Sequence, residues 1–105
     1  MQHDDILDHS LEASELLKSM GNAQRLRILC LLNKSSRALA VNEIKDQLDI
    51  GQSALSQHLA NLRHAGLVVT RRKAQTIYYS VAQGPTGDII SILQNNFCNK
   101  DSNHA

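Results

Sequence analysis

Two cysteines, Cys30 and Cys98, are the residues of this 105-residue chain whose side chains could do redox or metal chemistry. The thiolate is the reactive form of cysteine, so at least one thiol must be partly accessible if the pair acts. Cys30 lies within an apolar stretch, where a free cysteine commonly behaves as a small hydrophobic residue, whereas Cys98 borders the polar end of the chain. The residues alone leave two interpretations open, a buried hydrophobic side chain or a reactive thiol.

Metal binding is the first chemistry to consider for these cysteines. A zinc site needs three or four cysteine, histidine or carboxylate ligands, and neither cysteine has an obvious third partner. His3, His9 and His104 are the candidate stray ligands. We therefore predict no metal site and no cofactor, while a metal-responsive protein stays open as an alternative.

A second group of residues has side chains that suit DNA. Glutamine can pair bidentately with adenine, serine can donate or accept at a base edge, and arginine and lysine suit phosphates. Each of these residues alone would be ordinary surface polarity, but they cluster in two short stretches of the chain. The predicted DNA-binding residues are Gln52, Ser53, Ser56, Gln57, His58, Arg63, Arg71, Arg72, Lys73 and Gln75.

Charge is segregated along the chain although the net charge is only +1. The first twenty residues hold five acidic side chains against one lysine, whereas residues 50–87 contain no acid and four Arg or Lys side chains. An acid-free stretch with a basic cluster is what a polyanion-binding face requires. A solvated basic edge balanced by an acidic helix would show the same pattern, so charge alone does not decide between them.

Hydrophobic periodicity predicts the elements that position these residues. Apolar spacing predicts helices over 4–20, 23–33, 42–48, 52–65 and 85–98, followed by a flexible polar tail over 99–105. A short strand is predicted over 39–41, and β-branched or aromatic runs predict a hairpin from 67–71 and 76–81. The turn with Gly51 makes 42–66 a helix-turn-helix, and the hairpin over 67–82 is its wing. The predicted fold is a single domain over 1–105, mainly α with a small β-hairpin wing (α+β), a winged helix-turn-helix.

Several classes of protein are excluded on these grounds. No apolar run reaches the length of a membrane span, and the acidic start of the chain lacks a signal peptide's pattern, so we expect a soluble cytoplasmic protein without membrane contact. No phosphate-binding glycine loop or nucleophile–base spacing is present, so we do not expect an enzyme. A chain this short buries little surface on folding, so a dimer would help it.

The sequence resembles ArsR/SmtB-type winged-helix repressors in three places. These are residues 51–68 (GQSALSQHLANLRHAGLV), residues 20–29 (MGNAQRLRIL) and the end of the hairpin at 77–81 (IYYSV). The resemblance implies a homodimeric repressor that binds an imperfect palindrome in double-stranded DNA. It also implies that the first and last helices, 4–20 and 85–98, form the dimer interface.

The positions of the cysteines resemble one branch of that family. Cys30 lies in the string ILCLL and Cys98 near the end of the last helix, as in the BigR/SqrR/HlyU branch of dithiol sensors. The resemblance implies that the reduced protein binds its operator. It implies further that reactive sulfur or oxidants link Cys30 to Cys98 by a disulfide or polysulfide. The linked protein then releases operator DNA, so that the sulfide- and persulfide-detoxification genes it represses are expressed.

Two alternatives to the sulfur sensor stay open. One is a winged-helix regulator that responds to a metal or has no inducer. The other is a winged helix that contacts proteins rather than DNA, in which case the basic hairpin is incidental. Weakening of binding by salt separates DNA from protein partners, because phosphate contacts release counterions.

Overall fold

The computed structural model describes the backbone of residues 7–102 and the side chains of residues 7–97. Over this part of the chain the helices and strands follow one another in the order of a winged helix. They are α1 (Ser10–Met20), α2 (Ala23–Lys34), β1 (Leu39–Ala40), α3 (Val41–Leu48), α4 (Gln52–His64), β2 (Val68–Lys73), β3 (Thr76–Val81) and α5 (Pro85–Ser102).

The three strands form one antiparallel sheet in the order β1-β3-β2. The register pairs Val68 with Val81 and Lys73 with Thr76, which leaves a two-residue turn at the hairpin tip. Strand β2 therefore runs two residues beyond its predicted end at 71. The predicted hairpin and the short strand before it are both confirmed.

A single core lies between the helices and the base of the sheet. Its members are aliphatic, as the composition predicts, and α2 and α4 contribute the most deeply buried side chains. The core residues are Met20, Ile28, Leu29, Leu31, Leu32, Leu39, Ile44, Leu48, Ile50, Leu55, Leu59, Leu62, Leu67, Val68 and Ile90. This core holds α3 and α4 together and leaves the opposite face of α4 in solvent.

Both ends of the helix-turn-helix are fixed by local backbone chemistry. Asp49 ends α3 in the left-handed conformation, with a φ of 53°, and the buried Ile50 anchors the turn before α4. At the end of α4, Gly66 has a φ of +79°, and the Leu67 amide donates to the Leu62 carbonyl at 2.9 Å. This is a Schellman motif, in which glycine is favoured because it adopts positive φ without steric cost.

Two predicted helix boundaries were wrong by more than one residue. Residues 7–9 form turns, α1 begins at Ser10, and residues 4–6 lie outside the described part. Apolar spacing predicted a helix from residue 4, but such spacing shows which face of a helix is apolar and does not show at which residue the helix begins. Helix α5 continues to Ser102, so the predicted tail from 99 begins too early. The polar residues after 98 include no glycine or proline, and polarity alone does not end an exposed helix.

Apolar side chains remain exposed on the first and last helices. Leu11 and Leu17 of α1 are 72% and 55% exposed, and Ile92 and Phe97 of α5 are 59% and 69% exposed. Helices α1 and α5 therefore present large unburied apolar surfaces on an otherwise packed domain.

Across residues 7–102, no helix combines the length and apolar content needed to cross a bilayer.

Candidate functional site

Helix α4 presents a polar face opposite its core face. Leu55, Leu59 and Leu62 are at most 2% exposed, so the helix is anchored along one side. Four of the predicted DNA-binding residues on its N-terminal half are exposed, and the fifth, His58, is half-buried. The exposed residues are Gln52, Ser53, Ser56 and Gln57. Exposed residues at the start of a helix are the ones that can reach base edges when it enters a major groove.

The wing carries the predicted cations at its tip. Arg71, Arg72, Lys73 and Gln75 are all exposed, and Arg72 and Lys73 lie in the last two ladder pairs before the turn. Ala74 begins that turn with a φ of 58°. The hairpin therefore projects its positive charge away from the core, where it can reach a phosphate backbone.

Helix α4 and the wing share a cleft of about 200 Å³. Ser56 and Arg63 line it from α4, and Thr70 and Tyr79 line it from the wing. The predicted residues Ser56 and Arg63 are thus brought beside the wing, although the sequence search did not single out Thr70 or Tyr79. Thr70 lies one residue from the basic Arg71, so strand alternation places the two side chains on opposite faces, and the basic cluster gave no signal for Thr70.

Cys30 lies in the middle of α2, half-buried and packed against the core. It lines two cavities. One, of about 240 Å³, is an apolar groove shared with Leu26, Leu93 and Phe97, between α2 and α5. The other, of about 400 Å³, opens toward α3 and includes Lys34. Cys30 is therefore neither a sealed core residue nor a surface residue, and it lines cavities toward both α5 and α3.

Polar side chains tie α5 to α2 beside Cys30. The Gln94 side-chain amide donates to the Cys30 carbonyl at 3.1 Å. Asn33 of α2 donates in turn to the Gln94 side-chain oxygen and to the Ser91 hydroxyl, both at 3.1 Å. These hydrogen bonds set the register of α5 against the segment of α2 that holds the cysteine, and sequence reasoning did not find them.

The other predicted sensor residue, Cys98, lies on α5 four residues after Gln94, with its side chain outside the described residues. Among the candidate metal ligands, His3 and His104 also lie outside them. His9 is described, with Nδ1 2.6 Å from Glu12 Oε1. Within the described residues, no three His, Cys, Asp or Glu side chains are grouped so that they could hold a metal ion.

Comparison with known proteins identifies the family. The sequence profile described as "Bacterial regulatory protein, arsR family" matches residues 22–70. The chain is 44% identical over 90 residues to the Transcriptional activator HlyU of Vibrio cholerae serotype O1. The matched residues are 86% of this chain and 82% of that protein. The chain belongs to the ArsR family.

Solved structures of ArsR-family proteins superpose closely on this chain. "Reduced HlyU from Vibrio cholerae N16961" has a TM-score of 0.80 and 43% identity, covering 89% of this chain and 96% of that one. The repressor BigR from Xylella fastidiosa has a TM-score of 0.79 and 31% identity, with coverage of 94% and 96%. Mb0332 from Mycobacterium bovis, described as a homodimeric winged helix-turn-helix DNA-binding domain, has a TM-score of 0.78 and 25% identity, with coverage of 99% and 94%.

These comparisons confirm the predicted fold and the general class of function. The ArsR-family chain is a winged helix-turn-helix and a DNA-binding transcriptional regulator of the BigR/HlyU branch. Its relatives are regulators rather than enzymes, and the same holds for this chain. They include both a named activator and named repressors.

Proposed function

We propose that this regulator is a cytoplasmic, homodimeric repressor of sulfide- and persulfide-detoxification genes. The reduced dimer binds an imperfect palindromic operator, and reactive sulfur species or oxidants release it by linking Cys30 to Cys98. The observation that carries the proposal is the placement of Cys30, half-buried at the groove between α2 and α5 and hydrogen-bonded through its carbonyl to Gln94.

The DNA contacts divide between α4 and the wing. The exposed glutamines and serines of α4 read base edges, with His58 at the edge of this surface, and Arg63 contacts a phosphate. Arg71, Arg72, Lys73 and Gln75 bind phosphates or the neighbouring minor groove. Two observations support this division: the start of α4 and the tip of the wing are both exposed, and both belong to residues 50–87, which contain no acidic side chain.

Dimerisation is proposed through α1 and α5. Exposed patches of large apolar side chains mark interaction surfaces, and a monomer of this chain would leave Leu11, Leu17, Ile92 and Phe97 in water. Pairing both helices with those of a second copy buries them. It also positions two α4 helices for successive major grooves, about 34–36 Å apart.

Proximity of Cys98 to Cys30 is inferred from helical register. Gln94 contacts the Cys30 carbonyl, and position 98 follows it by one helical turn on the same helix. A direct disulfide requires Cα atoms within about 7 Å, while a polysulfide spans more because each added sulfur lengthens the link.

The proposed chemistry starts at Cys98, which lies near Lys100 toward the end of the chain. The Cys98 thiolate attacks the outer sulfur of a persulfide RSSH, and the S–S bond of that persulfide breaks. The thiol RSH departs, and Cys98 now carries the persulfide. The Cys30 thiolate then attacks the Cys98 sulfur and expels hydrogen sulfide. Two protein thiols are oxidised and one persulfide is reduced to a thiol and hydrogen sulfide. A trisulfide bridge forms when a second RSSH first converts Cys30 to a persulfide, with loss of a second RSH. The outer sulfur of that persulfide then attacks the inner sulfur of the Cys98 persulfide and expels hydrogen sulfide.

The bridge lowers DNA affinity because it joins the core to the dimer interface. A link between α2 and α5 moves α5 relative to α4, the recognition helix that reads the bases, and the dimer doubles the effect at its two recognition helices. A coupling of about 1–3 kcal/mol, typical of allosteric proteins, corresponds to about 5- to 150-fold in affinity.

The test uses a duplex enriched from a random pool by the reduced protein, about 30 base pairs long so that it holds two half-sites one turn apart. We expect inorganic polysulfide to weaken its binding at least about fivefold, and dithiothreitol to restore it. Cys30→Ser and Cys98→Ser proteins should bind like reduced wild type and not respond. Equal binding by reduced and treated wild type contradicts the proposal.

A further inference from the structure

A hydrogen bond joins the first helix to the recognition helix at a place that the proposed sensor does not use. The Ser19 hydroxyl, in the last turn of α1, donates to Asn61 Oδ1 of α4 at 2.6 Å. Forty-two residues separate the two along the chain, and Ser19 is only 7% exposed. Neither residue belongs to the predicted DNA-binding set or to the cysteine site.

The same turn of α1 is held from α2. Arg25 Nε donates to the Ser19 carbonyl at 2.6 Å, and the Arg25 amide donates to the Asn22 side chain at 3.0 Å. The connection between α1 and α2 is short, because only Gly21 and Asn22 separate the two helices. Ser19 is thus fixed by its backbone to α2 and by its side chain to α4.

Helix α1 is attached to the domain mainly through this last turn. Ser19 and Met20 are its buried residues, Leu16 is partly buried, and Leu11 and Leu17 are exposed. An 11-residue helix is about 16 Å long, so a rotation of about 10° at its last turn displaces its far end by about 3 Å. The Ser19–Asn61 hydrogen bond therefore lies in the turn from which the rest of α1 projects.

We propose that the Ser19–Asn61 hydrogen bond is a positioning device that sets the angle between α1 and the recognition helix and so the spacing of the two recognition helices on DNA. The inference rests on the proposed dimer, in which α1 packs on the second copy, but not on sulfur sensing. Without the hydrogen bond a smaller fraction of dimers has both α4 helices at the spacing that two half-sites need, which lowers the affinity by that fraction.

The experiment measures binding to the enriched duplex and to a shorter duplex that holds one of its half-sites, all with reduced protein. We expect Ser19→Ala and Asn61→Ala each to weaken binding to the full duplex about three- to tenfold, the range of one hydrogen bond. The double variant should bind no more weakly than the weaker single variant. Half-site binding should change less than about twofold, because a single α4 needs no spacing.

Two further variants separate positioning from simple loss of structure. Ser19→Thr keeps a hydroxyl and should bind the full duplex within about twofold of wild type. Ser14→Ala is the matched control, because the Ser14 hydroxyl donates within α1 to the Leu11 carbonyl at 2.9 Å and should affect neither duplex. Asn61 is exposed, so Asn61→Ala tests the proposal even if Ser19→Ala unfolds.

Three results would each overturn the positioning role. They are wild-type binding by Asn61→Ala, independent effects of the two substitutions in the double variant, and equal losses of affinity on the full and half-site duplexes. A monomeric wild type in sedimentation would overturn the proposed dimer and the positioning role with it, whereas an unresponsive cysteine pair would overturn only the proposed sulfur switch.

Discussion

At the scale of single residues, backbone conformation explains why particular side chains end the helices of the DNA-binding unit. Asp49, Gly66 and Ala74 all have positive φ, at the end of α3, after α4 and in the wing turn. A non-glycine residue pays about 1–2 kcal/mol in the left-handed region, although aspartate tolerates it better than most. At Gly66 glycine is favoured by its positive φ alone, because nothing lies within 4 Å of a Cβ built there.

Replacing Gly66 with alanine should therefore destabilise the protein by about 1 kcal/mol. The conformational strain of about 1–2 kcal/mol is partly offset by the lower entropy of the unfolded chain. Gly87→Ala is the matched control, since Gly87 lies within α5 without a positive φ and a Cβ there would meet its neighbours at ordinary distances of 3.5 and 3.9 Å. Urea unfolding at one fixed protein concentration should show a loss for Gly66→Ala and none for Gly87→Ala, because alanine is the better helix former. Equal midpoints for the two variants would contradict this explanation.

At the scale of secondary-structure elements, the start of α3 depends on an ion pair. Arg37 donates to both carboxylate oxygens of Glu43, and the Ala40 amide donates to Glu43 Oε1 at 2.9 Å. The hydrogen bond from Arg37, followed by that from the Ala40 amide, lowers the pKa of Glu43 to about 2. The carboxylate therefore caps the first helix of the helix-turn-helix and connects it to the preceding loop.

The contribution of Glu43 to stability should depend on pH in a defined direction. Because its pKa is lowered on folding, its stabilisation is present above the ordinary value of 4.5 and is lost as pH falls toward about 2. Glu43→Gln should lower the unfolding free energy at pH 7, and its difference from wild type should shrink over that interval. Asp46→Asn, on the same helix, removes the same charge as a control. A Glu43→Gln difference that stays constant down to pH 2 would contradict the assignment.

The sequence predicted the elements well wherever a local pattern determines them. The spacing of Leu55, Leu59 and Leu62 located the buried face of α4, and β-branched runs located the hairpin. Contacts between distant elements could not be found this way. Ser19 meets Asn61 and Gln94 meets the Cys30 carbonyl only after the core has brought their helices together, and no spacing in the chain records either contact.

At the scale of the whole molecule, the exposed apolar faces of α1 and α5 predict how the protein assembles. Leu11 and Phe97 are about as exposed as polar surface residues, although each carries a large apolar side chain. In the proposed dimer, burial of both against a second copy would stabilise the assembly and hold its two α4 helices apart at a defined distance. The proposed interface contains the end of α5, where the proposed sulfur bridge acts.

Leu11→Glu and Phe97→Glu should each convert the dimer to monomers. A charge placed in an apolar interface costs several kcal/mol if it is unpaired, so the dimer dissociation constant should rise at least about a hundredfold. Val69→Glu is the control, because Val69 is also apolar and 50% exposed but lies on the wing. Sedimentation should show monomers for the first two variants only. Dimers that persist in both would exclude α1 and α5 as the interface.

The proposed switch requires that Cys30 and Cys98 of one chain become joined. Intact-mass spectrometry of the polysulfide-treated protein, followed by peptide mapping without reductant, measures this directly. We expect a single-chain product that has lost two hydrogens, with or without added sulfur atoms, and a cross-linked peptide pair containing both cysteines. Treated protein that carries sulfur on one cysteine alone, or that links Cys98 to Cys98 between chains, would contradict the intramolecular switch.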